Sequence, residues 1–349
     1  MHAAAFTEYG APGVLRWQEV PDPPCGPDDV VVETVTCGLN HVDLDCRAGT
    51  APWELALPHV LGAEFAGTIV EVGAAVRGWE IGRPVTAHQQ FACGTCADCA
   101  RWRPDLCPHL ELVGYHRWGG YGAYVRVPAK ALIALDSIDQ ADVAASAQCV
   151  LSVAWNMVTR LARVTAGETV LVPSASGGVA GALVQVAKLA GARVIATTSS
   201  AEKAPHIEAL GADDVIVYGD TPVAEAVAEL TGGAGADAVL DTVGGPMIND
   251  HLASLRPDGR LAICGAHAGE TAAVDLLSVF VRGSRILGFR ICTPDDERTA
   301  LRLALTGQVT IPIAARFPIE RAADAHAYLG ERRHVGKVIL EHPTRAPKT

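Results

Sequence analysis

Apolar residues recur at two periods along this chain, and the period changes near residue 140. Before that point the apolar runs are short, β-branched and broken by Gly, Pro and Asp. The stretches 30–36 (VVVETVT) and 65–72 (FAGTIVEV) predict strands in a β-rich region with long loops. From 141 to 161 the apolar positions fall at helical spacing. Strands and helices then alternate. Strands are predicted at 169–172, 193–197, 215–218, 236–241, 260–264 and 285–289. Helices at 179–190 and 202–210 are closed by Gly191 and Gly211. Such alternation predicts an α/β, doubly wound parallel sheet of Rossmann type. Helices at 298–305 and 319–331 and a strand at 338–341 follow. The last sixty or so residues are expected to rejoin the first region. The expected division is therefore 1–145 with 290–349, and 146–289, with a frayed tail at HPTRAPKT. No internal repeat is visible.

Composition refines this picture only modestly. The 349 residues suit two domains, and 49% hydrophobic against 19% charged residues excludes a disordered chain. A net charge of -11 argues against nucleic acid and anionic membranes as partners. No apolar run is long enough to span a bilayer, and the opening MHAAAFTEYG lacks the order of a secretory leader. The expectation is a cytoplasmic protein whose ten cysteines are thiols or metal ligands.

Four of those cysteines carry chemistry. In CGTCADCARWRPDLC, residues 93–107, Cys93, Cys96, Cys99 and Cys107 can close a tetrahedral shell around one zinc. Four sulfurs leave no position for water or substrate, so the ion would be structural. An iron–sulfur cluster and four free thiols are the alternatives.

A second site is predicted after the strand at 169–172. The turn PSASGGVAG, with Ser176, Gly177, Gly178 and Val179, opens the next helix and can aim backbone N–H groups at a pyrophosphate. Ser174 and Ala180 stand where the dinucleotide fingerprint has glycine. The next strand ends in Thr197, Thr198, Ser199 and Ser200 without the acid that holds the ribose of NADH. Small hydroxyls followed by Lys203 suit a 2′-phosphate, which predicts NADPH. The alternative for Lys203 is a solvated first-turn lysine.

These features together resemble the medium-chain dehydrogenase/reductase superfamily. Further matching phrases are GAEFAGTIVEVG at 62–73, GGYGAYVRVP at 119–128 and HVGKVIL at 334–340. The resemblance implies that the β-rich part is a GroES-like catalytic domain and that the protein is a homodimer, joined through the outer Rossmann strand. In zinc alcohol dehydrogenases of this superfamily three side chains hold a catalytic zinc. The matching positions here are Asn40, Ala63 and Cys149, and Val42 replaces the hydroxyl that relays the alcohol's proton. An amide, a methyl and one thiol do not make a zinc site. A rearranged shell of His41, His59 and Glu64 is the alternative, and Cys149 by itself reads as a small buried hydrophobe.

The phrase LNHVDLDCRAG is similar to that of zinc-independent quinone oxidoreductases in the same superfamily, where the Asn lies beside the nicotinamide. That resemblance assigns Asn40 to orientation of nicotinamide or substrate and His41 to cofactor. It assigns Ser199, Lys203, Tyr218 and Lys337 to the grip on NADPH. Asp43 is expected to support the Asn40 loop or to act with it. His116 and Tyr121 are candidate proton donors or packing residues. Gly265 and Phe289 end strands beside the nicotinamide, with His267 just beyond. Trp53 and Trp118 hint at an apolar guest. The implied reaction is NADPH-dependent hydride transfer to a small molecule, at an activated C=C bond, a quinone or an imine, without catalytic zinc. The competing expectations are a zinc-dependent alcohol dehydrogenase with a rearranged shell and an NADPH-binding protein without catalysis.

Overall fold

Two β-branched strands organise the first part of the molecule, whose computed structural model describes residues 1–52, 54–219 and 221–343. Asp29–Gly38 and Glu64–Val72 pair antiparallel at the middle of a seven-stranded sheet. Each is buried along most of its length, as the continuous apolar runs require. Outward on one side lie Pro84–Ala87 and Leu132–Ala134. On the other lie Lys337–Glu341 and Ile313–Pro318, while Tyr124–Pro128 also pairs with Asp29–Gly38. A smaller sheet joins Arg16–Glu19, His2–Phe6 and His59–Val60. Phe6, Phe65, Ile69 and Tyr121 are among the fully buried side chains of this core. This unit comprises 1–149, 293–306 and 312–349.

Register in this sheet decides what meets at its edge. Gly38 sits opposite Glu64 on one neighbour and opposite Ile339 on the other. The ends of three strands, far apart in the chain, therefore converge just beyond Gly38. A Cβ on Gly38 would stand 2.0 Å from the carbonyl oxygen of Ala145, so only glycine lets the chain pass there. Asn40 then caps the helix His41–Ala48, and Gly49 ends it at a φ of 78°.

The second unit, 150–292 with 307–311, is a six-stranded parallel sheet. Its strand order is Asp214–Val217, Arg193–Thr198, Thr169–Val172, Ala236–Asp241, Leu255–Ile263 and Arg285–Gly288. The direction of winding reverses between Thr169–Val172 and Ala236–Asp241, where doubly wound sheets bind ligands. Leu171, Ile195, Val239 and Leu261 form a fully buried core. The expected strands and helices of this unit are present, most within a residue or two. The helix expected at 202–210 begins as a 3-10 turn, Ala201–Lys203, because Pro205 lies in the first turn of Ala204–Ala209. The strand around 260–264 begins earlier, at Leu255. A helix at Leu276–Arg282 leaves no core-facing period in the sequence, since only Val279 of its apolar residues packs on the core while Leu276, Leu277, Phe280 and Val281 are exposed. No helix among the described residues is long and apolar enough to cross a membrane.

Candidate functional site

The cysteine lobe is held by a short helix, Ala97–Ala100, and by turns on either side of it. The four sulfurs all lie within 4.8 Å of one another. Individual pairs are 3.9 Å (Cys93–Cys99), 3.8 Å (Cys96–Cys107) and 3.6 Å (Cys93–Cys107). A zinc–sulfur bond of about 2.3 Å in a tetrahedron puts sulfurs about 3.8 Å apart. The lobe thus has the dimensions of a zinc shell. Backbone N–H groups of Thr95 and Cys96 donate to Cys93 Sγ at 3.4 Å, and that of Cys99 to Cys96 Sγ at 3.5 Å. Those donors favour thiolate, the form that binds metal. Among the described residues this is the one group of three or more metal-type side chains whose ligand atoms converge.

The converging strand ends of the first unit build a second cluster. Asn40 donates from Nδ2 to Glu64 Oε2 at 3.2 Å and accepts at Oδ1 from Lys337 Nζ at 2.8 Å. Lys337 also donates to Glu64 Oε2 at 2.8 Å, an ion pair with side chains 4% and 0% exposed. The other oxygen of Glu64 accepts the Cys149 N–H at 2.7 Å. Asp43 accepts the Asn40 N–H at 2.8 Å and the Tyr115 hydroxyl at 3.3 Å. Burial pushes Asp43 up to about 7, against the Asn40 N–H, Lys337 and Tyr115, which all pull it down. Burial, then the charge of Glu64, pushes the Cys149 thiol up to about 12. Ala63 contributes only a buried methyl group. The trio Asn40, Ala63 and Cys149 therefore offers an amide already bonded twice, no donor, and a neutral thiol, which does not fit zinc. His59 is likewise committed, its Nε2 bonded to the Gly114 carbonyl at 2.9 Å.

Of the other residues expected here, His41 is the first residue of its helix and is half-buried. His116 is exposed, its Nδ1 accepting the Leu112 N–H at 3.1 Å. Tyr121 lies in the core, its hydroxyl bonded to His326 Nε2 at 2.9 Å. Trp118 donates to the Pro58 carbonyl at 3.2 Å, and Trp53 lies outside the described residues. Tyr115 is a site residue that the sequence does not disclose. Nothing local in the loop 109–121 marks a tyrosine that reaches Asp43.

In the second unit the glycine turn precedes the helix Gly178–Leu189. Gly177 is its N-cap and, as a glycine, lends no side-chain cap to the helix's first N–H groups, so the turn fits a phosphate ligand. Ser174 adopts a φ of 53°, where glycine is usual, and is steadied by Tyr218 and Thr197 at 2.9 and 3.1 Å. Ser199 is exposed and Lys203 half-buried just past the strand Arg193–Thr198. Gly265 has no room for a Cβ, which would stand 2.2 Å from the Thr242 carbonyl oxygen. Phe289 continues the edge of the sheet, its N–H bonded to the Ile263 carbonyl at 2.8 Å.

Residues 26–137 match the alcohol dehydrogenase GroES-like domain, and residues 178–306 match the zinc-binding dehydrogenase domain. An acryloyl-coenzyme A reductase of Sulfurisphaera tokodaii is 30% identical over 329 residues, covering 93% of this chain and 96% of that protein. A quinone oxidoreductase of Pseudomonas aeruginosa is 30% identical over 344 residues, covering 96% and 98%. The solved structure of an NAD-dependent alcohol dehydrogenase superposes with a TM-score of 0.92 at 35% identity, covering 98% and 99%. The chain belongs to the medium-chain dehydrogenase/reductase superfamily. It is an oxidoreductase of that superfamily, acting on a small molecule.

Proposed function

We propose that the protein is a cytoplasmic, homodimeric reductase. It would use NADPH to transfer hydride to an activated C=C bond or a quinone, or to an imine as a close variant, with one structural zinc per chain and no catalytic metal. The observation that carries this reading is the Asn40–Glu64–Lys337 cluster. At Asn40, a position that the resemblance matches to a zinc ligand, it supplies a bonded amide and an ion pair in place of metal donors. Without a Lewis acid an alkoxide is poorly stabilised. An enone, an acryloyl thioester or a quinone spreads the incoming charge onto a distant oxygen, where a hydrogen-bond donor suffices. The related acryloyl-coenzyme A reductase and quinone oxidoreductase support substrates of that kind.

When bound, the nicotinamide supplies a hydride to the acceptor carbon. This chain's residues hold, orient and exclude water. Ser176, Gly177, Gly178 and Val179 would hold the pyrophosphate, with His41 as a further contact. Ser199, Lys203 and Tyr218 would hold the 2′-phosphate. Gly265 and Phe289 would border the nicotinamide. Asn40 donates from Nδ2 to the oxygen that gains charge, Asp43 holds the Asn40 loop, and exposed His116 returns a proton to the α-carbon. The dimer would form along the outer strand Arg285–Gly288, beside the apolar helix Leu276–Arg282.

A panel of enones, acryloyl thioesters, quinones, aldehydes and imines, followed by NADPH oxidation with zinc measured on the same sample, tests the reading. Turnover of conjugated acceptors with one zinc per chain is expected. The likeness to a solved alcohol dehydrogenase favours a second reading, zinc-dependent alcohol oxidation. Two zincs per chain with chelator-sensitive alcohol turnover would establish that one instead.

A further inference from the structure

The cluster at the strand ends raises a question about Lys337, whose resemblance-based role is to hold the cofactor. Its ammonium donates to the Leu39 carbonyl at 2.6 Å, to Asn40 Oδ1 at 2.8 Å and to Glu64 Oε2 at 2.8 Å. An ammonium has three hydrogens and no lone pair, so these bonds exhaust it. Its charge is matched by a carboxylate that is itself fully buried. A group so placed has nothing left to offer a phosphate.

We propose that Lys337 is a positioning residue: with Glu64 it locks the Asn40 carboxamide in one of its two flip states, so that an Nδ2 hydrogen rather than the oxygen faces the reacting groups. The inference rests on the reductase reading and says how Asn40 serves it. A carboxamide has two orientations of nearly equal shape. Lys337 can only donate, so the atom beside it must be oxygen. Ionised Glu64 can only accept, so the atom beside it must be nitrogen. Reversal would lose two charge-assisted bonds and set like poles against both ions.

Neither partner is free to follow such a reversal. Glu64 is tied through its second oxygen to the Cys149 N–H at 2.7 Å. Lys337 begins the strand that pairs with Asp29–Gly38, and the Leu39 N–H bonds the Val338 carbonyl at 2.9 Å. The Asn40 backbone is fixed by its N–H bond to Asp43. One Nδ2 hydrogen goes to Glu64, and the second remains for an oxygen that gains negative charge during hydride transfer. An oxygen presented there would repel that charge.

The test uses the zinc-loaded protein and the double variant Lys337→Met/Glu64→Gln. Lys337→Met alone leaves a buried carboxylate unpaired and is expected to fold poorly. In the double variant the introduced carboxamide must keep its oxygen on the Cys149 N–H, so it presents its NH2 to Asn40 and, with no ammonium left to hold Oδ1, favours the reversed carboxamide. Three quantities are read: NADPH affinity by fluorescence, kcat and KM on the acceptor found in the panel, and hydrogen exchange of the Asn40 side-chain amide by NMR. The amide is assigned by its loss in Asn40→Asp. The expectation is NADPH affinity within about twofold of wild type, kcat lower by about tenfold or more, and amide exchange faster by about tenfold. A tenfold or so loss of NADPH affinity with kcat retained would make Lys337 a phosphate ligand and overturn the proposal. Unchanged kcat and unchanged exchange would also overturn it. A wild type that reduces nothing in the panel defeats the reductase reading alone, and amide exchange still decides whether the lock exists.

Discussion

The Tyr115 hydroxyl donates to Oδ1 of Asp43 across 3.3 Å, joining residues 72 positions apart inside the first unit. Asp43 is buried, and burial raises its carboxyl from 3.8 to about 7. Because the folded value lies above the unfolded one, the folded state holds a proton that the unfolded state has released. The associated stability is complete below about pH 4 and is lost as pH rises toward about 7.

Asp43→Asn should remove that dependence. Asn retains an oxygen for the Asn40 N–H and an amide for Tyr115, so the contacts survive without the titration. Wild type is expected to lose on the order of a few kcal/mol between about pH 4 and 7 from this group, and the variant should show a flatter curve. Denaturant unfolding across that range measures it. An identical decline in both proteins would remove Asp43 as its source.

The zinc prediction follows from sulfur geometry. Cys99→Ser should lower zinc content from one per chain toward zero and lower the melting temperature. Proteolysis should then begin near exposed Trp102, at the outer turn of the lobe. Asn40→Cys should add no second zinc, because Ala63 offers no donor and the Lys337 ammonium stands beside the position. Mass spectrometry of the intact protein decides both. A two-zinc Asn40→Cys protein would mean that the ion pair yields to a metal.

Much of this was legible in the chain, and the reason differs by element. The doubly wound unit shows because each buried strand and each glycine-closed helix leaves a local period. The cysteine lobe shows because all four ligands lie within fifteen residues. The Asn40 cluster shows only in part. Asn40 and Asp43 show through the resemblance of the LNHVD phrase to quinone oxidoreductases, but Lys337 and Glu64 meet across 273 positions, through a register that no local pattern encodes. Tyr115 is invisible for the same reason. The helix Leu276–Arg282 escapes because most of its apolar residues are exposed and only Val279 packs on the core.

Cofactor choice has its own test. Lys203 is half-buried, and desolvation lowers its pKa, an unfavourable state that a bound phosphate dianion would relieve. Lys203→Ala should raise KM for NADPH by about tenfold while leaving NADH little changed. Steady-state kinetics with each nucleotide checks it. An unchanged ratio would return Lys203 to the solvent and reopen the choice of nucleotide.

The outer strand Arg285–Gly288 pairs on one side only, with Leu255–Ile263, and leaves its other edge open among the described residues. Beside it Leu276, Leu277, Phe280 and Val281 are 73%, 62%, 72% and 69% exposed, and Ile286 on the strand is 43% exposed. An open edge flanked by such a surface invites pairing with another strand. A second copy meets the need under two-fold symmetry, since each chain would bring the same edge and the same apolar face. Phe280→Glu with Ile286→Lys places charge on that face without touching the strand's backbone. The double variant should sediment as a monomer where the wild type sediments as a dimer, with zinc content unchanged. A wild-type monomer at micromolar concentration would remove the dimer and leave the patch without its occupant.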